Sequence, residues 1–547
     1  MRFRSFVLAL FLFSVVVVCP AHINAQGDHV HHTAVGWVPR EILQRPTKLR
    51  EGIGTVNEVV TTTSREAQAF YNQGAAYLHS YLWIEAARSF NQALHHDPNL
   101  AMAYLGLSYA YSGLDDQAAA QTMLDKAKSL SSSASEREQQ RLAIRAKQLA
   151  AMADAENVLL HLEYKKAIDA ALAKWSDDAE LWLLRGNAEE ARASGRGQRG
   201  GSASIAFYEM AFKYVPDHFA AHHYLTHTYE TIGYADRALK HGEVYARLAS
   251  AVPHAHHMYG HDLRRVGRIS EAIERFEKAR TLEEEYFQRE NIRADFDWHY
   301  AHNLSLLATA YQYEGRLGEA EKLFHQIFKL PKYTAYTELW TKEWPEYLLS
   351  RGRNEEALEA ARTMTKSKWA AVRSVAHALM GNALLALKRT DEAKAELAKA
   401  ETELRAVTPL GVLYVAPGTI KPYLDALTGE MLMRSGQHEE GARLLKSVQA
   451  QIRAVPGPDA WIQALFRLES IARMAREAGN WELAEYTAKQ MENHDASYPG
   501  TLYALALIAE HKGDVAVARN QMTKAVQLWN KADSDLPELR YARGKLK

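Results

Sequence analysis

One interval constrains this chain more than any other feature. The segments "HHYLTHTYETIG" (222–233) and "HHMYGHDLRRVG" (256–267) place histidines, an aromatic and a closing glycine in the same order, 34 residues apart. A unit of that length cannot bury its own apolar face, so it must stack on copies of itself, and a chain of 547 residues has room for a long array. The composition suits helices. Prolines number only 15, and alanine, leucine and glutamate dominate after the first 20 residues.

The same layout recurs in "AMAYLGLSYAYSGLDDQAAA" (101–120), "HMYGHDLRRVGRISEAIERFEKA" (257–279), "LSLLATAYQYEGRLGEAEKLF" (304–324) and "ALMGNALLALKRTDEAKAELAKA" (378–400). Each shows apolar residues at helical spacing, a tight turn often marked by glycine, then a second amphipathic stretch. Small residues such as Gly260 and Ala272 let antiparallel helices approach closely, and Leu263 and Phe276 fill the space between. This pattern resembles the tetratricopeptide repeat, which implies an all-α fold: a right-handed superhelical solenoid of about ten helix-turn-helix units. Further units can be placed on Gly352, Gly436, Gly479 and Gly513. The runs "HHYLTHTYE", "PHAHHMYGHDLRRVGR" and "AFYNQGAAYLHSY" are also similar to those of a group of exported bacterial tetratricopeptide proteins, a resemblance that implies no activity.

Residues 1–25 read as a signal peptide: Arg2 and Arg4 precede an apolar run, Phe6 to Val18, too short to span a bilayer comfortably. Export to the periplasm or beyond is expected, with no membrane span after cleavage. The only cysteine, Cys19, falls inside that segment, so any metal site of the mature chain must use nitrogen and oxygen. Residues 26–62 read as an irregular arm that carries His29, His31 and His32; "TSRE" (63–66) offers Thr63 and Glu66 as a capping box. The array then runs over 63–408 with a histidine-rich concave centre at 218–302, an extended loop at 409–420 and further units over 421–547. "RASGRGQRGG" (192–201) contains a formal GxGxxG but follows a helix rather than a strand, and reads as a loop. Lys plus Arg balance Asp plus Glu at 66 each, which gives no reason to expect a nucleic-acid partner.

Eleven of the 24 histidines fall in residues 218–302. His223 and His227 lie ten and six residues before Gly233; His257 and His261 lie ten and six before Gly267. Each pair is i, i+4 and shares a helix face. In the tetratricopeptide family that face lines the concave groove, so the resemblance implies that these four project toward one side with Glu230, His254, Arg264 and His302; imidazoles gathered there repel when protonated, and a zinc or copper cation would remove that cost, which makes the four candidate ligands. Tyr313 joins them as a groove contact. His222 and His256, one residue earlier in register, read as packing residues, and His79 lies too far along the array to join the centre.

Two functions compete. One is an exported scaffold that grips a peptide or protein partner in the groove; the other is a metal-binding or metal-dependent protein that uses the two HxxxH pairs. An enzyme is the weaker expectation: Tyr224 stands where a zinc protease needs its glutamate, no GxSxG occurs, and four nitrogen ligands would close a tetrahedral site.

Overall fold

Left-handed turns punctuate the chain, 34 residues apart from Gly233 to Gly267 and from Gly479 to Gly513 and more widely spaced between. Gly233, Gly267, Gly315, Gly352, Gly436, Gly479 and Gly513 all adopt φ between +71° and +87°, each between two antiparallel helices. A glycine there avoids the Cβ clash of the left-handed region. The computed structural model describes residues 37–193, 200–408, 417–454 and 461–547. Among them the helices pair into twelve successive hairpins, from Arg65–His79 with Trp83–His96 to Pro499–His511 with Val515–Leu528, and no strand occurs. The fold is therefore an all-α solenoid of tetratricopeptide type, with twelve hairpins among the described residues where about ten units were expected. Turns at Tyr81, Asp115 and Lys388 take the same positive φ without glycine, so those hairpins escape a search keyed on it.

Several hairpins close on an aromatic wedge. A Cβ on Gly260 would lie 2.8 Å from the Phe276 ring, and one on Gly186 would lie 2.2 Å from Tyr208. Bare backbone on the first helix thus makes room for a ring from the second.

The solenoid curls until its ends meet its middle. From the N-terminal side, Tyr286 donates to Glu85 (2.8 Å), Arg88 bonds Glu290 (2.9 Å), and Trp83 stacks on Trp298 (5.7 Å between centroids). From the C-terminal side, Tyr313 donates to Asp495 (2.7 Å), and the Arg265 guanidinium lies over Trp461. The concave face of the central hairpins is consequently interior. Glu230, His254, Arg264, His302 and Tyr313, expected to line an open groove, are only 4%, 2%, 0%, 6% and 5% exposed.

Several local expectations need correction. The first array helix is capped by Ser64, whose hydroxyl accepts from the Ala67 amide, rather than by a Thr63–Glu66 box. The arm is irregular but packed: Ile42, Leu43, Ile53, Val56 and Val60 are buried against the array. Residues 417–420 form the start of helix Pro417–Arg434, while 409–416 lie outside the described residues. The proposed signal peptide, His29, His31, His32 and most of the GxGxxG loop also lie outside them.

His222 packs within its own hairpin, its Nδ1 2.9 Å from Nδ1 of His241. Burial pushes both imidazoles down to about 4, helped by His241 and Arg247 beside His222 and by Lys240 beside His241. In the unfolded chain both titrate near 6.5, so below that pH the unfolded state takes up protons that the native state refuses. Stability is therefore full above about pH 6.5 and declines as the pH falls toward 4. At pH 5 the loss is at most about 2 kcal/mol per imidazole, lessened by solvent because neither ring is fully buried. Urea melts at pH 7.5 and 5.0 test this: His241→Phe should shrink the acid-side loss, and an unchanged loss contradicts the assignment.

Candidate metal centre

Three adjacent helices, Phe219–Thr231, Pro253–Arg265 and Trp298–Tyr313, open three consecutive hairpins and lie side by side. Their inward residues bring six imidazoles into two triads. His223, His227 and His254 form the first; His257, His261 and His302 form the second; within each, one ligand atom per residue lies within 4.8 Å of the others. The sequence expectation of one site built from His223, His227, His257 and His261 is thus redistributed. Each i, i+4 pair keeps its own site, and its third member comes from the next helix along, His254 or His302. Neighbouring helices are offset along the stack, so a residue one turn earlier on the next helix reaches a pair sooner than the equivalent pair does.

In the first triad Nε2 of His223 lies 3.0 Å from Nε2 of His254 and 3.1 Å from Nε2 of His227. Nδ1 of His223 donates to the His79 carbonyl at 2.6 Å, which leaves its neutral Nε2 with one in-plane lone pair. That lone pair cannot accept well from two imidazoles at once. A cation between the three nitrogens satisfies all of them, and tetrahedral Zn–N bonds place ligand nitrogens about 3.3 Å apart. His254 lacks a matching support, since its buried Nδ1 makes no hydrogen bond.

The second triad is held from behind. Asn303 donates its Nδ2 to the Phe276 carbonyl (3.0 Å), which turns Oδ1 toward Nδ1 of His257 at 3.0 Å. His257 therefore carries its proton on Nδ1, and its buried Nε2, which makes no hydrogen bond, presents a lone pair. Nδ1 of His261 lies 3.0 Å from Glu230 Oε1, a carboxylate–imidazole pair that would turn the Nε2 lone pair toward a metal. Glu230 thus stands behind a ligand rather than in the groove. His302 is sandwiched by Trp340 (4.8 Å) and Trp298 (5.9 Å).

Burial, reinforced by neighbouring imidazoles, holds His223, His254 and His257 well below the usual histidine range. They are neutral at pH 7 and available to a metal without proton competition. A cation held by either triad would have three nitrogen ligands and a fourth coordination position left open, unlike the four-ligand closed structural sites.

Four contributors escaped the sequence reading. His79, expected to lie apart, supplies the carbonyl behind His223, while its ring bonds Tyr224 (2.9 Å) and Glu180 (2.8 Å). Tyr81 lies 4.6 Å from the His223 ring and 5.2 Å from His254, at the turn position that holds glycine in other hairpins. The φ of 59° that Tyr81 keeps where glycine is easier belongs to the folded backbone, so the sequence carried no signal for this contact. His299 stands between the triads with Glu283 on its Nδ1, and neither carried a repeat-register signal. His256 is buried as read, bonded to the Ser250 carbonyl.

The fold and this centre define a tetratricopeptide-type helical solenoid with paired histidine triads at its core. No family model matches the chain. Over 97 residues it is 33% identical to cellulose synthase operon protein C of Pseudomonas fluorescens (strain SBW25), a stretch that covers 17% of this chain and 8% of that protein. Among solved structures it is similar to the Cut9-Hcn1 hetero-tetramer of the APC/C (15% identity, 88% of this chain and 84% of that one, TM-score 0.40). It is also similar to the apo quorum sensor NprR of B. thuringiensis (13% identity, 78% and 98%, TM-score 0.38) and to yeast Tom70 (11%, 88% and 95%, TM-score 0.32). No helix among the described residues is long and apolar enough to cross a membrane.

Proposed function

We propose that this protein is an exported helical-repeat protein that binds zinc or copper through two histidine triads, one buried and one reaching the surface at His227. The observation that carries the reading is the crowding of three Nε2 atoms at 3.0 and 3.1 Å around His223, whose other nitrogen is already committed to the His79 carbonyl. Imidazole ligands without thiolate suit zinc and copper. The solenoid's part is to exclude water and hold the rings, since three neutral nitrogens add no charge and the surroundings must tolerate the cation. Elemental analysis of full-length protein purified without an affinity tag tests the reading. Two equivalents of zinc or copper per chain are expected, and protein that stays metal-free after incubation with either ion refutes it.

A second reading, a scaffold for a peptide or protein partner, is favoured by a different place from the one expected. The C-terminal half holds a cavity of about 500 Å3 lined by Asn382, Tyr423, Gln463, Phe466 and Arg467. Amides for a peptide backbone stand there beside an arginine that lies over Tyr423 at 4.0 Å. Substitution of Arg467 by alanine should weaken a peptide held in this cavity and leave metal content unchanged; loss of metal instead would tie the two regions together and count against separate roles.

A further inference from the structure

A seventh imidazole stands between the triads. Nδ1 of His299 lies 2.6 Å from Glu283 Oε1, which leaves Nε2 as its ligand atom. Its ring meets His254 of the first triad edge to face at 4.8 Å and His257 of the second at 4.5 Å. His254 and His257 themselves lie 5.8 Å apart. No other residue named so far stands this close to a ligand of each triad with a nitrogen suited to coordination.

The triads also differ in access. His227 is partly exposed, whereas His223, His254 and all three members of the second triad are buried. A cation from solvent therefore reaches the first triad through His227, while the second has no ligand at the surface. To cross the gap bare, a cation would have to shed its ligands inside a low-dielectric core, at a cost of many kcal/mol. An imidazole within reach of both sites removes that step, because it can coordinate the ion before the first ligand lets go.

Building on the metal-binding reading, we propose that the triads are loaded in sequence: a zinc or copper cation binds first at His223, His227 and His254 and is handed through His299 to His257, His261 and His302. Glu283 orients the relay by holding Nδ1 of His299 and sets a carboxyl group beside the path of the cation. His299 is then a transfer ligand rather than a permanent one.

The experiment mixes metal-free full-length protein with two equivalents of Zn2+, and in parallel Cu+, and counts bound ions by native mass spectrometry at timed intervals. The native chain should take one ion quickly and the second more slowly. His299→Phe, which keeps a ring against His254 and His257, should still take the first ion and fill the second site at least about tenfold more slowly, as loss of an orienting metal partner does. Glu283→Gln keeps the imidazole and should slow the second ion to a lesser degree. Filling of both sites at the native rate in both variants overturns the relay and leaves the metal reading intact. A native chain that takes up neither ion overturns the metal reading itself. Should His299→Phe fail to fold by circular dichroism, Glu283→Gln decides: a native rate for the second ion rejects the proposal.

Discussion

Replacement of His223 by alanine is expected to cut metal affinity at the first triad by more than about 100-fold, since even loss of an outer partner costs 10–100-fold. Both short nitrogen contacts of that triad share the His223 Nε2, so the substitution leaves His227 and His254 with only each other. It also abandons the His79 carbonyl and opens a void beside Tyr245, whose ring stacks on His223 at 4.7 Å. The metal-dependent part of stability should fall with it: a ligand at 100 times its Kd stabilises by about 2.7 kcal/mol. Thermal melts with and without zinc measure this. The native chain should show a metal-dependent rise in Tm, and His223→Ala only the rise owed to the second triad. His222→Ala, one residue away but turned toward His241, serves as the control and should keep both ions. Equal metal content in His223→Ala and the native chain would remove His223 from the ligand set.

The second large effect is expected at the hairpin that brings His79 and Tyr81 to the centre. Phe90 is 1% exposed, and its ring is held between two glycines: a Cβ on Gly74 would lie 2.7 Å from it and one on Gly106 2.4 Å. Phe90→Ala should destabilise by about 3–5 kcal/mol, because a rigid two-hairpin junction cannot collapse into the space. Gly106→Ala tests the same contact from the other side. In an open helix that change gains about 1 kcal/mol, whereas here overpacking should cost about 1–3 kcal/mol. Urea denaturation read by circular dichroism measures both, and a stabilised Gly106→Ala would show that the ring gives way. Because this hairpin carries the carbonyl behind His223, Phe90→Ala should also weaken the first ion more than the second.

Much of the scaffold was legible because it repeats. The turn glycines Gly233 and Gly267 report a backbone requirement, φ above zero, that few other residues meet cheaply, so their spacing exposes the hairpins directly. The pairs His223 with His227 and His257 with His261 were legible for a similar reason, since i, i+4 geometry is local to one helix. Hairpins turned by Tyr81, Asp115 and Lys388 lack that marker and were legible only through the helical pattern of "AFYNQGAAYLHSY", 101–120 and 378–400, so their turn positions were not fixed.

Sequence alone determined the helical hairpins, their register, and the set of imidazoles that share one face, all of which follow from contacts within one or two repeats. Tertiary structure alone decided how those imidazoles divide, that His254 and His302 complete the triads, and that the face is closed over. Those outcomes depend on the small rotation between successive hairpins, summed over the array until Tyr81 and Trp83 at one end and Trp461 and Asp495 at the other reach the middle. No single repeat encodes that sum, so a reading that proceeds unit by unit finds an open groove where the folded chain has a core.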